Sequence, residues 1–95
     1  MSHAAFADMA NLRTFLDAML SEDGAIRYAN NMRAEIKMLS VYADCFSRTT
    51  SKTLLNIHPD ARRMVSHNHR WIYVFHVENH FVIVDRILPA KMNKG

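Results

Sequence analysis

Residues 70–88 read RWIYVFHVENHFVIVDRIL and contain the clearest strand signals of the sequence. Aromatic and β-branched side chains dominate two runs, Arg70–Val77 and Phe81–Leu88, and this composition is typical of β-strands. The polar pair Glu78-Asn79 between them predicts a hairpin turn. Pro89 has no backbone N–H, so it should end the second strand. We therefore predict an antiparallel hairpin in the last third of the chain.

The loop between these two strands determines which side chains share a face. An even-length loop pairs odd-numbered positions of one strand with even-numbered positions of the other. One face should then carry Trp71, Tyr73, Phe75, Val82, Val84, Arg86 and Leu88. The other should carry Arg70, Ile72, Val74, His76, Phe81, Ile83, Asp85 and Ile87. On these faces Arg86 would stack on Trp71. Asp85 would pair with Arg70.

Both faces of the hairpin are largely apolar, and one helical layer covers only one of them. We therefore expect another chain to cover the second face.

Two amphipathic helices should precede the strands. Apolar residues recur at steps of three and four from Phe6 to Leu20 and again from Ile26 to Ala43, which is the spacing of one helix face. The Ser21–Gly24 segment interrupts the pattern with residues that end one helix and cap the next. The second helix is predicted over Ala25–Tyr42. Because the link is short, the two helices should form an antiparallel hairpin.

The middle of the chain has weaker signals. Asp44–Lys52 is polar without a clear period and is predicted to be a loop, whereas Thr53–Ile57 is compatible with a helix or a strand. His58-Pro59-Asp60 forces a turn. Arg62–Val65 is a short strand candidate that leads into a turn at Ser66–His69. Two helices followed by an antiparallel meander predict an α+β fold.

Composition limits the function classes. The 95 residues make one domain, and the 49% hydrophobic and 22% charged contents exclude intrinsic disorder as the default. The single cysteine, Cys45, excludes an internal disulfide and a multi-cysteine zinc site. His67 and His69 are too few to predict a metal site.

Membrane and targeting signals are also missing from the sequence. No apolar run approaches the ~18 residues of a membrane span, and the first ten residues lack a signal-peptide pattern. We expect one cytoplasmic domain over residues 1–95, with a basic tail at Ala90–Gly95 and without a metal, a cofactor or a membrane segment.

Charge is distributed unevenly. Residues 1–47 carry four basic and six acidic side chains, whereas residues 48–95 carry eight basic and three acidic ones and five of the six histidines. A basic half favours an anionic partner, either nucleic acid or an acidic protein segment. A solvated basic surface without a specific partner is equally compatible with these counts.

Several segments resemble the RelE/ParE-type toxins of type II toxin–antitoxin systems. Arg62–Val65, His69–Tyr73 and Val82–Leu88 are similar to the C-terminal meander of that family, and Lys91-Met92-Asn93 approximates its closing Met-Asp pair. Ser2–Met9 and the helical pair that follows resemble the family's first helices. The likeness spans nearly the whole chain through short motifs.

The chain also departs from the family in three respects. Members normally open with a β-strand before the first helix, and this chain begins almost at the helix, so one sheet edge should be unpaired. The family's Leu-His step is Leu88-Pro89 here. Nothing after Arg86 supplies the late Tyr or His that mRNA-cleaving members place near the scissile phosphate.

The resemblance implies the toxin of a plasmid-stabilisation pair, nearer ParE than RelE. Such a protein binds DNA gyrase and is neutralised by a cognate antitoxin, which would wrap the open sheet face or add a strand to its edge. The implied partner-binding residues are Arg63, Arg70, Trp71, Tyr73, Arg86 and Lys91.

Two alternatives remain open. The first is a RelE-like, ribosome-dependent and metal-independent mRNA endonuclease, in which Arg62, Arg70, Tyr73 and Arg86 would hold RNA. The second is a non-toxic dimeric binding module whose apolar sheet face is its subunit interface. On each of these hypotheses, the isolated chain is expected to form a homo-oligomer or to require a partner.

Overall fold

The computed structural model describes residues 1–92 and contains two long helices followed by a three-stranded antiparallel sheet. The helices are α1 (His3–Met19), α2 (Glu22–Tyr42) and the short α3 (Lys52–Leu55). The strands are β1 (Arg62–Val65), β2 (Trp71–Glu78) and β3 (Phe81–Pro89), in the order β1-β2-β3. Single 3₁₀ turns occupy Ala43–Cys45 and Ala90–Met92. The predicted α+β fold is confirmed, and the rest of the predicted basic tail, residues 93–95, lies outside the described residues.

A serine caps the start of each long helix. The side-chain oxygens of Ser2 and Ser21 accept the N–H groups of Ala5 and Gly24, each at 3.1 Å. The cap at Ser21 makes α2 begin at Glu22, three residues before the predicted start. No helix within residues 1–92 combines the length and the apolarity that crossing a membrane requires.

The β2–β3 hairpin turns one residue later than predicted. Glu78 pairs with Phe81, so the loop is Asn79-His80 rather than Glu78-Asn79. Asn79 and His80 both have positive φ angles, 50° and 68°, as in the tight two-residue turns whose twist matches that of the flanking strands.

A β-bulge changes the faces of the hairpin. Phe75 pairs with Val84 but Val74 pairs with Arg86, so β3 contains one extra residue at this point. Beyond the bulge Tyr73 pairs with Ile87, which is buried against the helices, and Leu88 turns to the opposite face. The predicted faces of Ile87 and Leu88 are therefore wrong. The predicted stacking of Arg86 on Trp71 is also wrong, because Trp71 lies opposite Pro89.

The main core lies between the two long helices and one face of the sheet. Its buried members include Ala5, Met9, Leu12 and Leu16 from α1, Ala25, Met32 and Leu39 from α2, and Tyr73, Phe75, Val84 and Ile87 from the sheet. Phe46 contacts the ring of Phe75 edge to face, with 5.9 Å between the centroids. This burial of apolar area is the principal stabilising contribution to the fold.

The chain itself covers the second sheet face, which corrects the prediction that another chain does so. We call residues 51–61 the covering segment. Leu54 and Ala61 of this segment are fully buried against Ile72 and Val74. The imidazole of its His58 stacks on His76, with 3.6 Å between the ring centroids and 4° between the planes.

The outer edge of β3 is bound by the start of α1, so the expected unpaired edge is not present there. The N–H of Ser2 donates to the carbonyl oxygen of Val84 at 2.8 Å, and the Ser2 hydroxyl donates to that of Asp85 at 2.7 Å. The Asp8 carboxylate accepts the N–H of Ile87 at 2.9 Å. These groups replace the partners that a further strand would supply.

Among residues 1–92, the outer edge of β1 is paired only at its start. Arg48 forms an isolated antiparallel bridge with Arg62, and the N–H of Thr49 donates to the carbonyl oxygen of Ala61 at 2.8 Å. Val65, at the other end of β1, is 40% exposed.

Candidate partner-binding groove

The residues predicted to hold RNA do not converge. Arg62, on one outer strand, donates to the carbonyl oxygen of Ala43 at 2.9 Å and to Asp44 at 3.5 Å. Arg86, on the other outer strand, donates to Asp8 from Nε at 2.7 Å and from Nη2 at 3.1 Å. Tyr73 lies on the central strand and is fully buried.

The remaining predicted partner-binding residues lie in three places. Arg63 pairs with Val74 and thus shares the face under the covering segment. Trp71 is half-buried, and its Nε1 donates to the Tyr28 hydroxyl at 2.8 Å. Arg70 and Lys91 are exposed and adjacent, since the carbonyl oxygen of Arg70 accepts the N–H of Ala90 at 2.9 Å.

An open apolar groove of about 640 Å³ lies between the second half of α2 and β1. Its lining consists of Glu35, Met38, Leu39, Tyr42, Cys45, Phe46, Met64, Val65 and His67. Positions 35, 38, 39 and 42 follow helical spacing, so this apolar face of α2 extends beyond the part that the sheet covers. Met38 is 55% and Tyr42 51% exposed, and concave apolar surfaces of this kind bind partners or ligands.

Glu35 is the acidic side chain of this groove, and it is half-buried. Its Oε2 accepts the backbone N–H of His67 at 2.8 Å, and its Oε1 accepts the Tyr73 hydroxyl at 3.3 Å. Burial and the nearby charge of Glu35 raise the pKa of Tyr73 far above its ordinary value, so the hydroxyl remains a donor. Within residues 1–92 no Lys, Arg or His side chain forms an ion pair with Glu35.

A smaller polar hollow of about 140 Å³ adjoins the groove. It is lined by Tyr28, Asn31, Met32, Glu35, His67 and Asn68. Because Glu35 and His67 line both spaces, they separate the apolar groove from the polar hollow. The Tyr28 hydroxyl accepts Trp71 Nε1 at 2.8 Å and Asn68 Nδ2 at 2.6 Å, which fixes one wall of the hollow.

Sequence reasoning missed Tyr28 and Glu35, although the helical pattern contains a signal for both. They lie seven residues apart, two turns of α2, on the stripe that also carries the buried Met32 and Leu39. A tyrosine and a carboxylate on a core-facing stripe require polar partners, and Trp71, Tyr73 and the β1–β2 turn supply them.

A second polar cluster surrounds His76 on the opposite face of the sheet. Its Nδ1 lies 2.6 Å from Asp85 Oδ2 and its Nε2 lies 3.2 Å from Glu78 Oε2. Asp85 therefore pairs with His76 and not, as predicted, with Arg70. Burial alone lowers the pKa of His76, but the hydrogen bonds and charges of both carboxylates outweigh it and raise the pKa above 6.5. Both ring nitrogens have carboxylate partners, so this histidine links β2 to β3.

No model of a known protein family matches the sequence, and no curated protein is significantly similar to it. Nor does any group of three or more His, Cys, Asp or Glu side chains in residues 1–92 have an arrangement suited to a metal ion. The groove beside β1 is the strongest candidate for a functional site, because it combines open apolar walls with an acidic group that has no cationic partner among residues 1–92.

Proposed function

We propose that this protein is the toxin of a type II toxin–antitoxin pair, ParE-like in acting by protein binding, and that its antitoxin neutralises it by occupying the groove between α2 and β1. The observation that carries the proposal is the groove itself, an open apolar space of about 640 Å³ beside a partly unpaired strand. The resemblance of Arg62–Val65 and His69–Tyr73 to RelE/ParE-type toxins supports the same function. These segments form β1, the last two residues of the β1–β2 turn and the start of β2.

The placement of the basic residues favours binding over catalysis. Metal-free cleavage of RNA requires a base, an acid and cations that converge on one phosphate. Arg62 and Arg86 lie on the two outer strands and bond to other parts of the chain, and Tyr73 is buried. The fourth residue of the endonuclease hypothesis is Arg70. Its side chain is exposed and forms no hydrogen bond within residues 1–92, so it is the single one of the four that is free to contact RNA.

The groove is a better antitoxin site than the two surfaces that the sequence suggested. The second sheet face is occupied by the covering segment, and the β3 edge is occupied by Ser2 and Asp8. The groove retains exposed apolar side chains, and it lies beside the end of β1 that Arg48 and Thr49 leave uncovered. A partner segment there buries apolar area and meets an edge strand.

Arg70 and Lys91 are adjacent, exposed cations that suit an acidic surface. We assign them to contact with the cellular target, which the resemblance implies to be of the gyrase class.

Induced expression tests the toxin proposal. Expression in a bacterial host should arrest growth, and the purified protein should inhibit gyrase-dependent supercoiling while leaving mRNA intact in a translating extract. Combined Arg70→Ala and Lys91→Ala substitutions should weaken the inhibition about tenfold or more, since two charges of the contact are lost. Arg27→Ala, which removes an exposed charge from α2, is the matched control and should retain inhibition.

Two results would replace the proposal. Codon-positioned mRNA cleavage that disappears in Arg70→Ala would establish the endonuclease alternative. Expression without growth arrest, together with supercoiling unaffected by the protein, would favour the non-toxic binding module.

A further inference from the structure

We infer that the segment docking in the groove carries one Lys or Arg side chain, which enters the polar hollow and pairs with Glu35 while neighbouring apolar side chains fill the groove. The inference rests on the proposed function in taking the groove as the docking site. It adds the chemistry of the occupant, a segment that is apolar with a basic anchor.

The charge of Glu35 supports the basic anchor. The carboxylate is half-buried, and within residues 1–92 it receives only neutral donors, the N–H of His67 and the hydroxyl of Tyr73. A segment that covers the groove removes water from this carboxylate. A carboxylate that loses water without gaining a cation is strongly destabilised, so an occupant that brings a cation is favoured over one that does not.

The hollow provides space and acceptors for the anchor. Each Glu35 oxygen accepts a single hydrogen bond from the described residues, which leaves lone pairs for an ammonium or guanidinium group. The side-chain amide of Asn31 forms no hydrogen bond within residues 1–92, so its oxygen is a further acceptor in the lining. A space of about 140 Å³ accommodates the end of one long side chain and not a chain segment.

The groove also selects against an acidic occupant. The basic second half of the chain favours acidic partners in general, but the groove presents Glu35 and exposed apolar side chains such as Met38. An acidic residue placed there would meet a like charge in a region that loses water on binding. The pairing with Glu35 would thereby fix the register of the segment.

Peptide selection tests the inference. A phage library of random dodecapeptides is selected on the immobilised full-length chain and on Glu35→Gln, which keeps the side-chain shape. Wild-type protein should enrich peptides with apolar residues on both sides of one Lys or Arg, and Glu35→Gln should enrich apolar peptides without the basic residue. Glu22→Gln, at an exposed acid in the first turn of α2, is the matched control and should select the same peptides as wild type.

Affinities of resynthesised peptides measure the pairing. Replacement of the basic residue by Gln should weaken binding to wild type about tenfold or more and to Glu35→Gln less than about twofold, as expected when the two groups interact directly. The salt dependence of peptide affinity provides a second measurement, which uses the wild-type protein alone. The affinity of the basic peptide should fall with salt more steeply than that of its Gln counterpart.

The affinity of the selected peptides for Met38→Glu, a substitution at the rim of the groove, shows whether they bind in the groove. If selected peptides lose affinity for this variant but show no preference for a basic residue, or prefer an acidic one, the basic anchor is refuted and the docking site stands. If selection enriches no peptide that depends on Met38, both the anchor and the docking site are refuted, while growth arrest still tests the toxin function separately.

Discussion

Asp8 connects the first helix to the last strand through three hydrogen bonds. Its carboxylate accepts Nε and Nη2 of Arg86 and the N–H of Ile87, and its side chain is only 16% exposed. The bond to Asp8 raises the pKa of Arg86, which keeps the guanidinium charged. Arg86, implied by the resemblance to bind a partner, thus has a structural partner within its own chain.

Removal of the Asp8 carboxylate should destabilise the fold. Asp8→Ala is expected to lower the free energy of unfolding by about 2–3 kcal/mol, because a half-buried guanidinium and a strand N–H lose their acceptor. Asp8→Asn should cost less, since its amide oxygen still accepts one of these donors. Urea unfolding monitored by circular dichroism gives the values.

Asp17→Ala is the control on the same helix. Asp17 pairs with Arg13 one turn away on an exposed surface, so its loss should change the free energy of unfolding by less than about 0.5 kcal/mol. Equal losses for Asp8→Ala and Asp17→Ala would show that the link between α1 and β3 contributes nothing beyond a surface ion pair.

The helical hairpin and the three strands were predictable because their signals are local. Apolar spacing in α1 and α2 and β-branched runs in β2 and β3 are each contained within one element. α3 has only four residues, too few for a period, and it forms because Leu54 is buried against the sheet. The bulge has only a weak signal, the adjacent polar residues Asp85 and Arg86 within an apolar strand.

The candidate site was less predictable than the fold. The groove exists because β1 is short and leaves part of the apolar face of α2 uncovered, which depends on how the two elements pack. The charge distribution, which emphasises the basic second half of the chain, also gives no signal for Glu35. A search for carboxylates on the core-facing stripe of α2 would have identified it.

The His76 cluster should make the attachment of β3 to β2 sensitive to pH. Because the pKa of His76 is raised in the folded state, protonation stabilises the fold fully below pH 6.5, and this contribution is lost as the pH rises through the folded-state pKa. Asp85 and Glu78 supply the charges, and the titratable group of the covering segment that contacts His76 is His58, whose ring stacks on it.

Comparison of wild type with His76→Gln between pH 5.5 and 8.5 measures this contribution. The stability difference between the two proteins should be largest at the acid end and decrease as the pH rises. A stability difference that is constant over this pH range, or larger at alkaline pH, would contradict the stabilising contribution of protonated His76. Titration of the His76 ring protons by NMR gives the folded-state pKa directly.

The molecule as a whole consists of three layers, since the covering segment forms a thin third layer on the sheet face away from the helices. Leu54 is its fully buried member. Leu54→Ala should lower the free energy of unfolding by about 2–4 kcal/mol through lost burial and a cavity. It should also increase the binding of a hydrophobic dye, because Ile72 and Val74 become accessible when the segment loosens.

Leu20→Ala, at the end of α1 where the side chain is 42% exposed, should change stability by less than about 1 kcal/mol and leave dye binding unaltered. If Leu54→Ala behaves like Leu20→Ala, the covering segment does not stabilise the sheet. The fold would then depend on a partner to cover this face.

The contact between Ser2 and Val84 joins residues that lie 82 positions apart in the chain. A contact of such long sequence separation closes a large loop of chain, so we expect the edge of β3 to be closed late in folding. Until then its free N–H and C=O groups can pair with another nascent chain. Yield on refolding should therefore fall with protein concentration, and the first turn of α1 acts as protection against aggregation as much as a source of stability.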